Sequence, residues 1–170
     1  GKRQTGYGNE TQPKPQRNQQ ALYQAANREE GKVIHFLPNN PETLALLIAG
    51  QQLLKDPIRW CQGSMKQGQS YCINGALFEV GTPNYQMPED YGSDDPLYYR
   101  GDLQRGQIPE PFWFVRQALK VRSTYDNVGL FNDDPETTHE QVLELLKSSI
   151  ALVESEIEQR SAQRTNDCAA

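Results

Sequence analysis

Apolar residues recur at helical spacing in four patches of this chain, with polar, Gly- and Pro-rich stretches between them. In the first patch, Leu44, Leu47, Ile48 and Leu54 share one face, and Leu46 and Leu53 widen it. Asn40 is placed to cap this helix, Pro41 fits its first position and Glu42 suits the positive end of its dipole. Asp56-Pro57 stops it, because proline disfavours α conformation in the residue before it; the helix spans about 41–55. In the second patch, Cys72, Ala76, Leu77 and Val80 predict a short buried helix within 71–80. Gly75 inside it costs about 1 kcal/mol against alanine, which points to close packing there, against the last helix. The third patch, Pro111–Arg122, places Phe112, Val115 and Leu119 on one face beside Trp113 and Phe114. The fourth is a stripe of Val142, Leu145, Leu146, Ile150, Val153 and Ile157 that runs to about Arg160. Its start is signalled either by Asp134 with Pro135, or by a capping box of Thr137 and Glu140. The expectation is all-α: a small bundle of about four helices with long irregular loops, a single domain over residues 33–160.

The polar stretches set the boundaries. Residues 1–20 are Gln/Asn-rich without a large aliphatic, and the apolar strip of 18–30 is too thin to fold without a surface. Residues 1–32 therefore read as a disordered N-terminal arm. Val33–Leu37 is a short strand or an extended lead-in. Residues 62–70 read as a loop, 81–110 as a long irregular connection, 125–131 as a turn-rich return and 161–170 as a disordered tail.

Charge sharpens the picture of the arm. The 170 residues carry a net charge of −5. Residues 1–32 hold six Lys/Arg against three Glu, a balance of +3 that leaves −8 on the rest. An acidic body argues against nucleic acid as a partner except through the arm, where Lys2, Arg3, Lys14 and Arg17 lie. Tyr85, Tyr91, Tyr98 and Tyr99 give the 81–110 connection area with which to meet a protein partner. No run of about eighteen apolar residues exists to span a membrane, and no apolar segment follows the N-terminus as a secretion signal would. Three cysteines in such a chain read as free thiols in a reducing, cytoplasmic compartment.

Several features recur in a telling order: a leucine-rich helix, Trp60-x-Gln62-Gly63, Cys72-x-x-Gly75-Ala76-Leu77, a further helix, Phe131-Asn132-Asp133, and Thr138-x-x-Gln141-Val142-Leu143. The order resembles a small family of bacterial and phage proteins known only as a domain of unknown function. Its members read W-x-Q-G, C-x-x-G-A-[IL], [WF]-N-D and T-x-x-[EQ]-V-[LI]. The resemblance covers roughly residues 40–152. The N-terminal arm and the 81–110 connection depart from the family pattern. The resemblance implies a mostly helical fold and a bacterial or phage cytosolic setting, and no activity.

Candidate chemistry centres on Cys61 and Cys72. They can bridge, form a redox pair, or bind metal together with His35 and His139, although neither stands in the C-x-x-C spacing of a zinc site. Cys72 in an apolar helix pattern is more simply a buried thiol. A catalytic reading makes Cys61 or Cys72 the nucleophile and His139 the base, oriented by Asn132 or Asp133. No nucleophile signature surrounds either cysteine. Residues 132–136 with Glu140 offer oxygen ligands for a cation, yet helix capping and turn bonds to the Trp60 loop explain them more simply. No phosphate-binding glycine motif is present, and no metal or cofactor is expected. Trp60, Gly63, Cys72, Gly75, Asn132 and Asp133 read as structural residues of a helix–loop–helix junction. The function that fits is a non-catalytic interaction or accessory protein that meets a protein partner through its arm and the 81–110 connection. Two alternatives remain open: a small cysteine-dependent enzyme, and a phage structural protein of the virion.

Overall fold

The computed structural model describes residues 39–81 and 104–169. The partner-facing candidates Lys2, Arg3, Lys14, Arg17, Tyr85, Tyr91, Tyr98 and Tyr99 lie outside these residues, as do His35 and Val33–Leu37. The described part is mostly helical, with five helices and one two-stranded sheet.

Helix α1 is Asn40–Leu54. Its cap is Asn39, one residue before the expected Asn40: the Asn39 Oδ1 accepts from the Glu42 amide at 3.4 Å, and its Nδ2 donates to the Glu42 carboxylate at 3.0 Å. This reciprocal pair needs acid at the third helical position, and only Asn39 stands three residues before Glu42. Asn40 is instead buried inside the first turn. The buried face runs through Thr43, Leu46, Leu47, Gly50 and Leu54, which turns Ile48 outward. A 3₁₀ turn, Pro57–Arg59, follows, capped by Asp56.

The expected 62–70 loop contains a minimal hairpin. Strands β1 (Lys66–Gln67) and β2 (Ser70–Tyr71) pair antiparallel, Lys66 with Tyr71 and Gln67 with Ser70. Gly68, at φ 60°, makes the left-handed turn between them possible. Trp60 also bridges Tyr71 in parallel, so three chain passes meet there.

Helix α2 (Ile73–Gly81) is buried nearly all round, which fits its unbroken apolar run. It packs mainly on α1 rather than on the last helix. Gly50 marks that contact: a β-carbon there would meet Leu77 Cδ2 at 3.0 Å. Gly75 answers to a different neighbour. A β-carbon on it would fall 1.9 Å from the Met65 carbonyl oxygen, so the close approach is to the hairpin backbone.

Helix α3 (Glu110–Arg122) buries Phe112, Val115 and Leu119, with Phe114 and Ala118. Phe112 packs on Phe78 of α2 with ring centroids 4.8 Å apart. The expected return at 125–131 ends in a further helix, α4 (Val128–Asp133), capped by the Asn127 side chain on the Leu130 amide at 3.0 Å.

Helix α5 (His139–Ala169) is the spine. Its capping box is Thr138 with Gln141, not Thr137 with Glu140: Thr138 Oγ1 accepts from the Gln141 amide at 3.2 Å, and Gln141 Oε1 accepts from the Thr138 amide at 2.8 Å. Asp134 caps a separate short turn through the Glu136 amide at 2.7 Å. The buried stripe is Val142, Leu145, Leu146, Ser149 and Val153. Beyond it the helix does not fray at 161 but continues to Ala169, exposed from Glu158 onward. This stretch holds no Gly or Pro, and side-chain bonds such as Gln163 to Asp167 at 3.1 Å follow the helical repeat.

Helices α1 and α5 run antiparallel, since Gln51 donates to the Leu143 carbonyl and Leu54 meets His139. At the far end of this pair, Arg105 ties three elements. Its guanidinium donates to both Glu110 oxygens (2.6 and 3.1 Å) and to Glu156 at 2.9 Å, and lies 4.7 Å from the Trp113 ring centroid. Glu110 is only 3% exposed, so the bidentate partner is what makes its burial tolerable.

Candidate functional site

The structural and catalytic candidates among the described residues fall in two segments about 70 positions apart, 60–77 and 131–143. The fold brings them together where the Trp60 loop and the hairpin meet the end of α4. Asn132, 1% exposed, is the centre. Its Oδ1 accepts from the Trp60 indole Nε1 at 2.9 Å and from the Ile73 amide, which opens α2, at 3.3 Å. Its Nδ2 donates to the Cys61 carbonyl at 3.1 Å and to Asp133 Oδ1 at 2.8 Å. A carboxamide offers two donors and two lone pairs, so this one is fully used.

Its neighbours repeat the theme. Asp133 Oδ1 also accepts from the Gly63 amide at 2.8 Å, where Gly63 holds φ at 75°. Gln62 Nε2 donates to the carbonyls of Asn132 and Asp134, both at 2.8 Å, and so satisfies the orphan acceptors at the end of α4. Tyr125 donates its hydroxyl to Asp134. Side chains and backbone together form a clasp that joins the first half of the chain to the second.

Two thiols lie inside the clasp. Cys72 caps α2: its sulfur accepts from the Gly75 amide at 3.3 Å and touches Met65 Sδ at 3.5 Å. A helix N-terminus favours thiolate, but burial is the larger effect here and pushes the Cys72 thiol up to about 12. Cys61 donates to the Ser64 carbonyl at 3.5 Å, and burial raises its thiol above the ordinary 9.0, with Asp133 adding to the rise. Both cysteines are therefore neutral thiols at pH 7. The third, Cys168, is exposed on the end of α5.

His139 is placed elsewhere. Its Nε2 bonds the Leu54 carbonyl at 2.6 Å, which makes it the donor there and closes the C-terminus of α1. Its ring faces Trp60 with centroids 5.9 Å apart. Neither Cys61 nor Cys72 hydrogen-bonds it. Among the described residues, no group of three or more His, Cys, Asp or Glu side chains is arranged to hold a metal ion.

Sequence reading passed over the roles of Gln62, Tyr125 and Arg105. Gln62 stood within a motif, which was a usable signal; Tyr125 and Arg105 had none beyond their types. Beside the clasp opens a cleft of about 450 Å³ between the end of α3, α4 and the first turns of α5. Leu119, Phe131 and Leu145 form its floor, and Asp134, Glu136, Glu140 and Glu144 line it, with Arg122 the sole cation among the described lining residues. Asp134 is already engaged by Tyr125, and Glu144 by Arg122 at 4.0 Å and Lys147 at 3.4 Å.

No described helix is long and apolar enough to cross a membrane. A family model described as a family of unknown function (DUF6197) matches residues 38–152. No curated protein and no solved structure matches the chain. With well over half its length matched, the chain belongs to the DUF6197 family.

Proposed function

We propose that this DUF6197 member is a non-catalytic interaction protein of bacterial or phage origin, acting in the cytoplasm or, as a structural component, in a virion. It meets a protein partner through the basic arm (Lys2, Arg3, Lys14, Arg17) and the 81–110 connection (Tyr85, Tyr91, Tyr98, Tyr99). The observation that supports this reading is the clasp. Its polar groups are spent on one another, both of its thiols are neutral, and His139 is committed to the Leu54 carbonyl. Residues bonded in this way hold a fold together; catalysis needs a nucleophile within about 3 Å of its base, or one water away.

The arm's charge adds to this reading. It is the basic part of an otherwise acidic chain, and an acidic partner surface is what it suits. The test is affinity capture with the full chain, with a chain lacking residues 1–32, and with the four tyrosines replaced by serine. Loss of a reproducible, salt-sensitive partner set on removal of the arm is expected. Identical sets from all three chains would overturn the reading. Native-state alkylation serves as the check on chemistry: rapid labelling of Cys61 would redirect attention to the cysteine-dependent enzyme.

A further inference from the structure

Cys61 and Cys72 are not simply two buried thiols in one region; the backbone sets them side by side. Trp60 and Tyr71 are parallel bridge partners, and the Cys61 amide donates to the Tyr71 carbonyl at 3.1 Å. Cys61 and Cys72 are the next residues on those two passes. At the Trp60–Tyr71 bridge the two backbones lie about 5 Å apart, and one residue on, at the cysteines, this is near the ~4.4–6.8 Å Cα separation that a disulfide spans. The sulfurs also contact consecutive residues of one loop, the Ser64 carbonyl and Met65 Sδ, both at 3.5 Å. Each thiol is influenced by the Asp133 charge, and Cys72 by Cys61 as well.

We propose that Cys61 and Cys72 form a thiol–disulfide modification site, oxidised by small hydroperoxides, whose closure locks the Trp60 loop onto the start of α2. Cys61 reacts first. It is the less deeply engaged sulfur, covered by a hairpin of only two residues per strand, and local opening of that hairpin, at the cost of the Cys72 amide bond to Met65, exposes it. Once exposed, Cys61 releases its proton to solvent; the thiolate attacks one peroxide oxygen, the O–O bond breaks, and a sulfenic acid forms as the leaving oxygen takes up a proton and departs as water or an alcohol. The Cys72 sulfur then attacks the Cys61 sulfur; the S–S bond forms, the S–O bond breaks, and the hydroxide departs as water with the Cys72 proton. Two electrons pass from the two thiols to the peroxide. Both residues already lie in the clasp; closure gives up the Cys61 donation to the Ser64 carbonyl and the Cys72–Met65 contact, while Asn132 bonds the Cys61 carbonyl and not its sulfur.

The experiment uses the full chain with Cys168→Ser, which removes the exposed thiol. The folded protein is treated with hydrogen peroxide, quenched, denatured in alkylating agent and digested with trypsin. The expected product is a peptide of residues 60–66 joined to one of residues 67–100, with loss of two hydrogens, reversed by dithiothreitol. The oxidised protein should melt several degrees higher than the reduced one. Cys61→Ser should leave Cys72 alkylatable after the same treatment. The proposal is overturned if both thiols remain alkylatable, if Cys61 gains oxygen without cross-linking, or if the linked peptide forms only in denaturant.

Discussion

A β-carbon on Gly75 would stand 1.9 Å from the carbonyl oxygen of Met65. The same carbonyl accepts from the Cys72 amide at 3.1 Å, so the hairpin cannot move away from α2 without losing a bond. Gly75→Ala should therefore destabilise the protein by about 3 kcal/mol or more, despite the better helix propensity of alanine. Gly50→Ala is the control. Its β-carbon would meet only the end of the Leu77 side chain at 3.0 Å, and a cost below about 1 kcal/mol is expected. Urea denaturation of the two variants reads the difference, and equal losses would contradict the assignment.

Asn132→Ala removes the one group that serves the Trp60 indole, the Ile73 amide and the Cys61 carbonyl together. Each buried group left unpaired costs about 1–3 kcal/mol, so a loss of roughly 3–5 kcal/mol is expected. Trp60→Phe removes the indole donor. A double-mutant cycle of the two should show coupling of about 1 kcal/mol or more, and simple additivity would remove Trp60–Asn132 from the clasp.

Most of the fold was legible in the sequence because its helices carry regular stripes. The stripe from Val142 to Ile157 and the face of Phe112, Val115 and Leu119 required no tertiary knowledge. The errors in capping arose where one residue type could serve two neighbouring positions. Asn39 and Asn40 are both good caps, and the reciprocal bond with Glu42 decides between them. Thr137 and Thr138 pose the same choice, which Gln141 settles. Gly75 was legible as a close approach, but not what approached it, because Met65 acts through a backbone carbonyl that every residue possesses. The convergence of 60–77 with 131–143 depends on pairing over some 70 residues, which no local pattern encodes.

Thr138→Ala tests the capping box directly. The loss of its hydroxyl should cost about 1 kcal/mol, while Thr137→Ser, outside the box, should keep the cap intact. Thermal melts of the two variants suffice, and a larger penalty for Thr137→Ser would return the cap to the position expected from sequence.

The Arg105 tie predicts a pH dependence. Burial alone would push Glu156 above its ordinary 4.5, but the bond from Arg105 and the charges of Arg105 and Arg160 outweigh it and lower the value. A carboxylate whose folded pKa is depressed contributes stability that is present above its unfolded pKa and lost as pH falls through the folded one. Melting temperature should therefore fall more steeply below pH 4.5 in the wild type than in Glu156→Gln. Parallel acid profiles would show that Glu156 is not linked to folding.

The clasp has one more consequence, which concerns how the chain is divided. Trp60 to Asn132, Gly63 to Asp133, Gln51 to Leu143 and Leu54 to His139 all cross from residues 39–81 to residues 104–169. Helix α1 divides its buried face between α2 and α5, and the end of α4 is satisfied by Gln62. Neither segment holds a complete core of its own. The two are complementary fragments of one unit: as separate polypeptides each should lack a stable fold, and mixing them should restore helical circular dichroism that neither shows alone.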